Sequence, residues 1–261
     1  MTVQQALSCG LDPRDARLLV AHATGFSEAA VLSYPERSLP PDAEQRFMDF
    51  AARRRDGEPV AYILGRKEFY GLPLAVNPAV LIPRPETELL VELALEHDFA
   101  AALDLGTGSG AVALAIKKHR PGTRVVAVEA SAAALEVAKR NGVALGLEVD
   151  WRHGQWFSPV AGERFDLIVA NPPYVAAGDP HLADLRFEPT AALVSGADGL
   201  DATREIVAAA PARLAQGGWL FLEHGIGQDV AVRRLLAQAG LEDARTWPDL
   251  AGIPRVSGAK R

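Results

Sequence analysis

The sequence predicts an α/β protein: a doubly wound, mostly parallel sheet preceded by a small helical domain and a β-hairpin linker. Three observations carry this. From Ala101 onward, short apolar runs alternate with stretches of helical period, the pattern of strands joined by crossover helices. Residues 1 to about 65 instead repeat apolar residues at helical spacing. Between them, Arg66–Tyr70 and Leu74–Val76 flank Gly71-Leu72-Pro73, as two strands flank a turn.

In the first part, Asp12-Pro13 marks a helix start, with Leu18, Leu19 and Ala23 on one stripe. Pro40-Pro41-Asp42 opens another helix that turns Phe47, Phe50 and Ala51 inward, and Arg53-Arg54-Arg55 is read as its solvated end. Val80–Pro85 is a proline-stiffened link, and Glu86–Glu96 a helix with Leu89, Leu90, Leu93 and Ala94 on its apolar face. Strands are expected at 101–105, 124–128, 147–152, 165–170 and 219–223. Helices are expected from 111, over 131–145, near 201–215 and over 228–239. Two further strands, near 242–247 and 254–259, have no helix between them and so read as an antiparallel hairpin at the sheet edge. Residues 175–199 carry little regular pattern, and a segment that long inside a compact domain is usually functional.

Two motifs sit where such folds bind ligands. Asn171-Pro172-Pro173-Tyr174 follows the apolar run Phe165–Ala170. Proline lacks an N–H and biases its predecessor to extended backbone, so the strand stops there. An amide, free carbonyls and an aromatic ring are left at the carboxyl edge, the ligand edge of open α/β sheets. That set suits a planar –NH2 group; the plainer alternative is a Pro-rich turn with a buried tyrosine. Upstream, Ala101–Leu105 runs into Gly106-Thr107-Gly108-Ser109-Gly110 and then an apolar helix start. Such a loop brings backbone N–H groups close to a ligand at a helix N-terminus. The next strand ends at Glu129, an acid able to accept both ribose hydroxyls. Gly106, Gly108 and Ala111 equally satisfy a dinucleotide fingerprint, so the loop alone does not choose the cofactor.

Composition narrows the classes. The 261 residues are 49% hydrophobic, with net charge −6, which disfavours stable nucleic-acid binding by a broad basic surface. A single cysteine, Cys9, excludes an internal disulfide and a cysteine-based metal site, and no metal is expected. No apolar run is long enough for a membrane span, and no signal peptide is evident. A cytoplasmic monomer is expected.

With both motifs in place, the chain resembles the S-adenosylmethionine-dependent methyltransferases, and more narrowly the peptide chain release factor glutamine N5-methyltransferases. The likeness runs through Val80–Glu88, with its Pro83-Arg84-Pro85-Glu86-Thr87-Glu88 stretch, then Asp104–Gly110, Asn171–Tyr174, Arg186-Phe187-Glu188-Pro189 and Glu223-His224-Gly225. It implies a seven-stranded methyltransferase sheet over residues 86–261, a hairpin and linker over 66–85, and a substrate-recognition domain over 1–65. It implies that Gly106, Thr107, Gly108, Ser109 and Gly110 hold the methionine end of S-adenosyl-L-methionine, Glu129 the ribose, and that Trp156 flanks the adenine. Asn171 would touch cofactor and substrate. Asn171, Pro172, Pro173 and Tyr174 would grip a glutamine side chain, with Asn171, Pro172 and Tyr174 closest to the chemistry. The implied substrate is the glutamine of the Gly-Gly-Gln motif in class 1 release factors, which bears on translation termination. Two departures stand out: Gln155 replaces an acid beside Trp156, and Glu129 replaces the commoner Asp. The competing reading is a nucleic-acid base amino methyltransferase, because the same four residues can hold a base amine. A nicotinamide-dependent oxidoreductase would have no use for them.

Overall fold

A computed structural model describes residues 1–261. The chain divides into two compact units, Met1–Arg66 and Lys67–Arg261.

The first unit is helical: α1 (Val3–Leu7), α2 (Pro13–Thr24), α3 (Glu28–Ser33), α4 (Pro41–Arg55) and α5 (Val60–Leu64). Its starts are written locally. Thr2 and Gln5 form a capping box, the Asp12 carboxylate accepts from the N–H groups of Arg14 and Asp15, and Ser27 caps α3. Val3, Leu19, Val20, Val31, Phe47 and Ile63 make the core. Two side chains expected inside are only half-buried. Leu18 falls off the buried stripe of Ala16, Leu19, Val20 and Ala23, and Phe50 lies against the His22 ring, with centroids 5.4 Å apart. The arginine run does end α4, where each side chain finds an acceptor: Glu58, Asp15 and the Cys9 carbonyl.

The hairpin β1 (Arg66–Phe69) and β2 (Leu72–Ala75) starts at the last residue of the first unit, and the second unit continues through α6 (Glu88–Leu95), β3 (Ala101–Leu105), α7 (Ala111–His119), β4 (Arg124–Glu129), α8 (Ala132–Leu145), β5 (Asp150–His153), β6 (Phe165–Ala170), α9 (Asp201–Ala209), β7 (Leu214–Glu223), α10 (Asp229–Gln238), β8 (Glu242–Pro248) and β9 (Pro254–Lys260). The seven-stranded sheet has the order β5-β4-β3-β6-β7-β9-β8. Its first five strands are parallel, and β9 is antiparallel to both neighbours. Alternate side chains feed two cores. Val125, Ala127, Leu167 and Val169 face α6 and α7, while Val126, Val128, Ile168 and Ala170 face α9 and α10. Burial on both faces is why these strands read as unbroken apolar runs.

Four boundaries differ from expectation. Strand β5 starts at Asp150 because Leu147 still bonds back to the Gly142 carbonyl, closing α8. Helix α9 stops at Ala209 and tightens into a 3₁₀ turn over Ala210–Ala212, since Pro211 has no N–H to continue it. The helix expected from Glu86 starts with a 3₁₀ turn, Pro85–Thr87. Strand β7 starts at Leu214, ahead of the expected 219; the final hairpin forms at the sheet edge as expected, with β9 beside β7 and β8 outermost.

Segment 175–199 is a tied loop. Val175 and Val194 form a parallel bridge, the Val175 N–H donates to Leu193, and the Ser195 N–H donates to Val175.

Candidate active site

The parallel strands β3, β4 and β6 end on one edge, and their carboxyl ends surround a cavity of about 560 Å³. Gly106 and Gly108 after β3, Glu129 ending β4, Trp156, and Asn171 and Pro173 after β6 all line it. A smaller pocket beside it, of about 50 Å³, shares Gly106, Gly108 and Asn171 and adds Thr107 and Ser109. Gly110, Pro172 and Tyr174 line neither.

The glycine side is built from backbone. Gly106, Gly108 and Gly110 all have positive φ, which glycine adopts without steric cost. At Gly110 a Cβ would sit 3.0 Å from the Trp151 ring and 3.3 Å from Ala138, so this glycine lets α7 pack against α8 and β5 rather than facing a ligand. Asp104 is buried beneath the loop. It accepts from the Thr107 hydroxyl at 2.6 Å and the Ala113 N–H at 3.2 Å. Burial pushes its pKa up to about 6 despite those bonds. Glu129 is doubly engaged, taking the Gly108 N–H on one oxygen at 2.9 Å and the Ser131 N–H on the other at 2.8 Å. It therefore stitches the loop to β4 while each oxygen keeps a further lone pair for a ligand hydroxyl. Trp156 holds φ +46°, uncommon for a bulky residue, and its ring comes within 3.4 Å of a Cβ built on Gly106. Its indole N–H is buried and unpartnered. Gln155 borders the same cavity.

The amide side is built from distant side chains. The Asn171 amide donates to the Thr87 hydroxyl at 3.1 Å. The Tyr174 hydroxyl donates to Glu223 at 3.4 Å, and burial, then the Glu223 charge, raises the phenol pKa. The Tyr174 ring thus turns toward the end of β7 and away from the cavity wall. Its carbonyl accepts from Gln228 at 3.0 Å, and the same amide reaches the Asp198 carbonyl at 3.2 Å. A Cβ at Gly199, where φ is +77°, would meet that Tyr174 carbonyl at 2.1 Å, so only glycine fits there. His224 is fully buried between Ser257 and the Gly225 carbonyl, its pKa lowered by burial.

Three contributors were invisible to sequence reasoning about function. The buried Asn141 of α8 pairs with both backbone groups of Ala75 and with the Ser109 carbonyl, tying hairpin to glycine loop. Glu188 is buried, accepting from the Ile82 N–H at 3.1 Å and pairing with Arg84. This joins two motifs that the sequence showed only as separate points of likeness. Gln228 clamps Tyr174, and nothing in its local sequence distinguishes it from a helix start.

Comparison with known proteins bears on this geometry. Residues 5–65 match the family described as PrmC N-terminal domain, and residues 85–187 match Methyltransferase small domain. A release factor glutamine methyltransferase of Pseudomonas aeruginosa is 51% identical over 93% of this chain and 90% of its own length. One of Xylella fastidiosa is 50% identical over 93% and 91%. Among solved structures, a T. thermophilus 16S rRNA methyltransferase, determined with AdoMet and guanosine, matches with TM-score 0.57 and 25% identity over 75% of this chain and 49% of its own. A Pyrococcus furiosus methyltransferase matches with TM-score 0.58 and 19% identity over 81% and 98%, a likeness of fold. With near-full-length identity of about half to several such enzymes, this chain is a methyltransferase and belongs to the family of release factor glutamine methyltransferases.

Proposed function

We propose that this protein transfers a methyl group from S-adenosyl-L-methionine to the side-chain nitrogen (N5) of the glutamine in the Gly-Gly-Gln motif of class 1 peptide chain release factors. One observation carries the cofactor choice. The large cavity is lined by Glu129, Asp201 and Glu205 and by no lysine or arginine, and Arg84 of the adjoining pocket is neutralised by Glu188. That charge suits a cationic sulfonium and opposes the pyrophosphate of a dinucleotide. The glycine loop would hold the methionine end, Glu129 the ribose and Trp156 the adenine.

The cofactor supplies an already activated methyl, so the chain's task is placement. Asn171 borders the cavity, and its Oδ1 is suited to accept one amide hydrogen of the glutamine; the other would fall to the Pro172 carbonyl, as the resemblance implies. Held so, its nitrogen lone pair turns toward the methyl. The nitrogen gains the methyl carbon as the carbon–sulfur bond breaks, and a nitrogen proton leaves to solvent. Orientation of this kind removes about 7–11 kcal/mol of barrier in well-arranged systems. The Asn171–Tyr174 stretch would equally grip a base amine, but the names of the relatives favour a release factor. Incubation with labelled S-adenosylmethionine and a release factor should place one methyl on that glutamine by peptide mass spectrometry. Transfer to nucleic acid with none to protein overturns the reading.

Residues 1–65 are assigned to recognition of the protein substrate. The unit exposes Leu32 and Tyr34, at 58% and 54% of their surface, and a large partner requires contact beyond a loop pocket. Removing residues 1–65 should leave cofactor affinity nearly unchanged while kcat/KM for intact release factor falls by about 10². Equal activity of a folded truncation sinks the assignment.

A further inference from the structure

Thr87 begins α6 at the position where a threonine hydroxyl ordinarily caps the helix, yet here it makes no capping bond. The side chain is 5% exposed, and its oxygen accepts instead from Asn171 Nδ2 at 3.1 Å. Beyond it lies Glu223, 2% exposed at the end of β7, with the Tyr174 hydroxyl on Oε1 and no partner on Oε2 at hydrogen-bond geometry. Helix α6, which Thr87 begins, packs against β7, which Glu223 ends, and burial raises the Glu223 pKa to about 7. An unused buried carboxylate oxygen is costly, and a hydroxyl whose own proton is uncommitted is a natural donor to it.

An asparagine amide has two orientations, and a lone hydroxyl tolerates both because it can donate or accept. Ionised, as it is above its pKa of about 7, the Glu223 carboxylate only accepts. With its proton drawn to Glu223, the Thr87 oxygen is left as acceptor for Asn171 Nδ2, and Asn171 Oδ1 must then face the cavity. The flipped amide would present two N–H groups to a substrate amide that also brings N–H groups.

We propose that Thr87, held between Asn171 and the buried Glu223, is a positioning residue that fixes the Asn171 amide with its oxygen turned to the substrate nitrogen. This rests on the glutamine-methylating reading above and names residues that act through Asn171.

The test uses the full-length enzyme with intact release factor. Thr87→Val keeps the shape and removes the hydroxyl. It should lower kcat by about tenfold or more, the loss of one oriented hydrogen bond, with the KM for S-adenosylmethionine and the melting temperature close to wild type. Thr87→Ser restores the hydroxyl and should recover most of the rate. Glu223→Gln, which can donate to Thr87 and so free the amide to flip, should fall with Thr87→Val. Wild-type kcat in Thr87→Val overturns the proposal, as does loss in Thr87→Ser equal to that in Thr87→Val. If wild type itself methylates no release factor, the functional reading fails separately. Thr87 is then judged by NMR exchange of the Asn171 side-chain amide. Slow exchange in wild type and fast exchange in Thr87→Val supports the positioning role, and equal exchange overturns it.

Discussion

The two walls of the cavity are made in opposite ways. The wall from Gly106 to Ser109 is a short-range construction: strand, glycine turn and helix follow one another, and the N–H groups of Gly106, Thr107 and Gly108 bond back to the end of β4. Its partners from other elements include Glu129, which holds the Gly108 N–H, and Asn141, which holds the Ser109 carbonyl. The wall at Asn171 and Pro173 is a long-range construction. Its short motif stands only because Thr87, Glu223 and Gln228, from three other elements, engage its side chains and carbonyls. A backbone wall tolerates many ligands with the same shape, whereas a side-chain wall orients one functional group. The first is therefore assigned to binding and the second to the reacting amide.

Three substitutions break or sharpen that contrast. The largest effect is expected at Asn171→Ala, which should cut turnover by about 10²–10³, the size of losing one positioned polar contact in a transition state. Calorimetry should find S-adenosylhomocysteine affinity little changed. A loss below tenfold, or an equal loss of affinity, would merge the two walls into one binding surface.

Next comes the pH dependence of stability set by Glu223. Its pKa is raised from 4.5 to about 7, with burial the largest cause, the Glu86 charge adding to it, and Thr87, Tyr174 and Arg255 opposing. Folding therefore favours the protonated form. Stability from this group is fully present below pH 4.5 and is lost as pH rises through about 7. The full loss is at most about 3 kcal/mol. Glu223→Gln removes that dependence, so the variant should gain on wild type between pH 5 and pH 8 in urea unfolding. A difference that stays flat with pH would mean that the carboxyl is solvated, and the amide wall less dry than its contacts imply.

The smallest effect falls on the other wall. Glu129→Ala should weaken S-adenosylhomocysteine binding by about 1–3 kcal/mol, as charge-assisted hydrogen bonds are lost, with kcat at saturating cofactor near wild type. Unchanged affinity would mean that Glu129 serves only the Gly108 and Ser131 amides. A fall in kcat instead would show that loop geometry reaches the chemistry.

What the sequence by itself determined follows from local physics. Alternating apolar runs named the parallel strands, glycine and proline ended them at one edge, and Asp12-Pro13 set a helix start. Glycine loop, acid and amide motif could be assigned to a common edge because parallel strands all end on the same side. The tertiary structure alone decided what separates neighbours in one motif: Gly110 serves packing while Gly108 faces the cavity, and Tyr174 turns to Glu223 while Asn171 borders the pocket. It also decided the partners Thr87, Asn141, Glu188 and Gln228, which reach across 54 to 106 residues to Asn171, Ala75, Ile82 and Tyr174. Local pattern reports a residue's own backbone state and periodicity. Which hydroxyl, carboxylate or amide meets it from across the sheet depends on the packing of the whole unit, and no short stretch of chain encodes that.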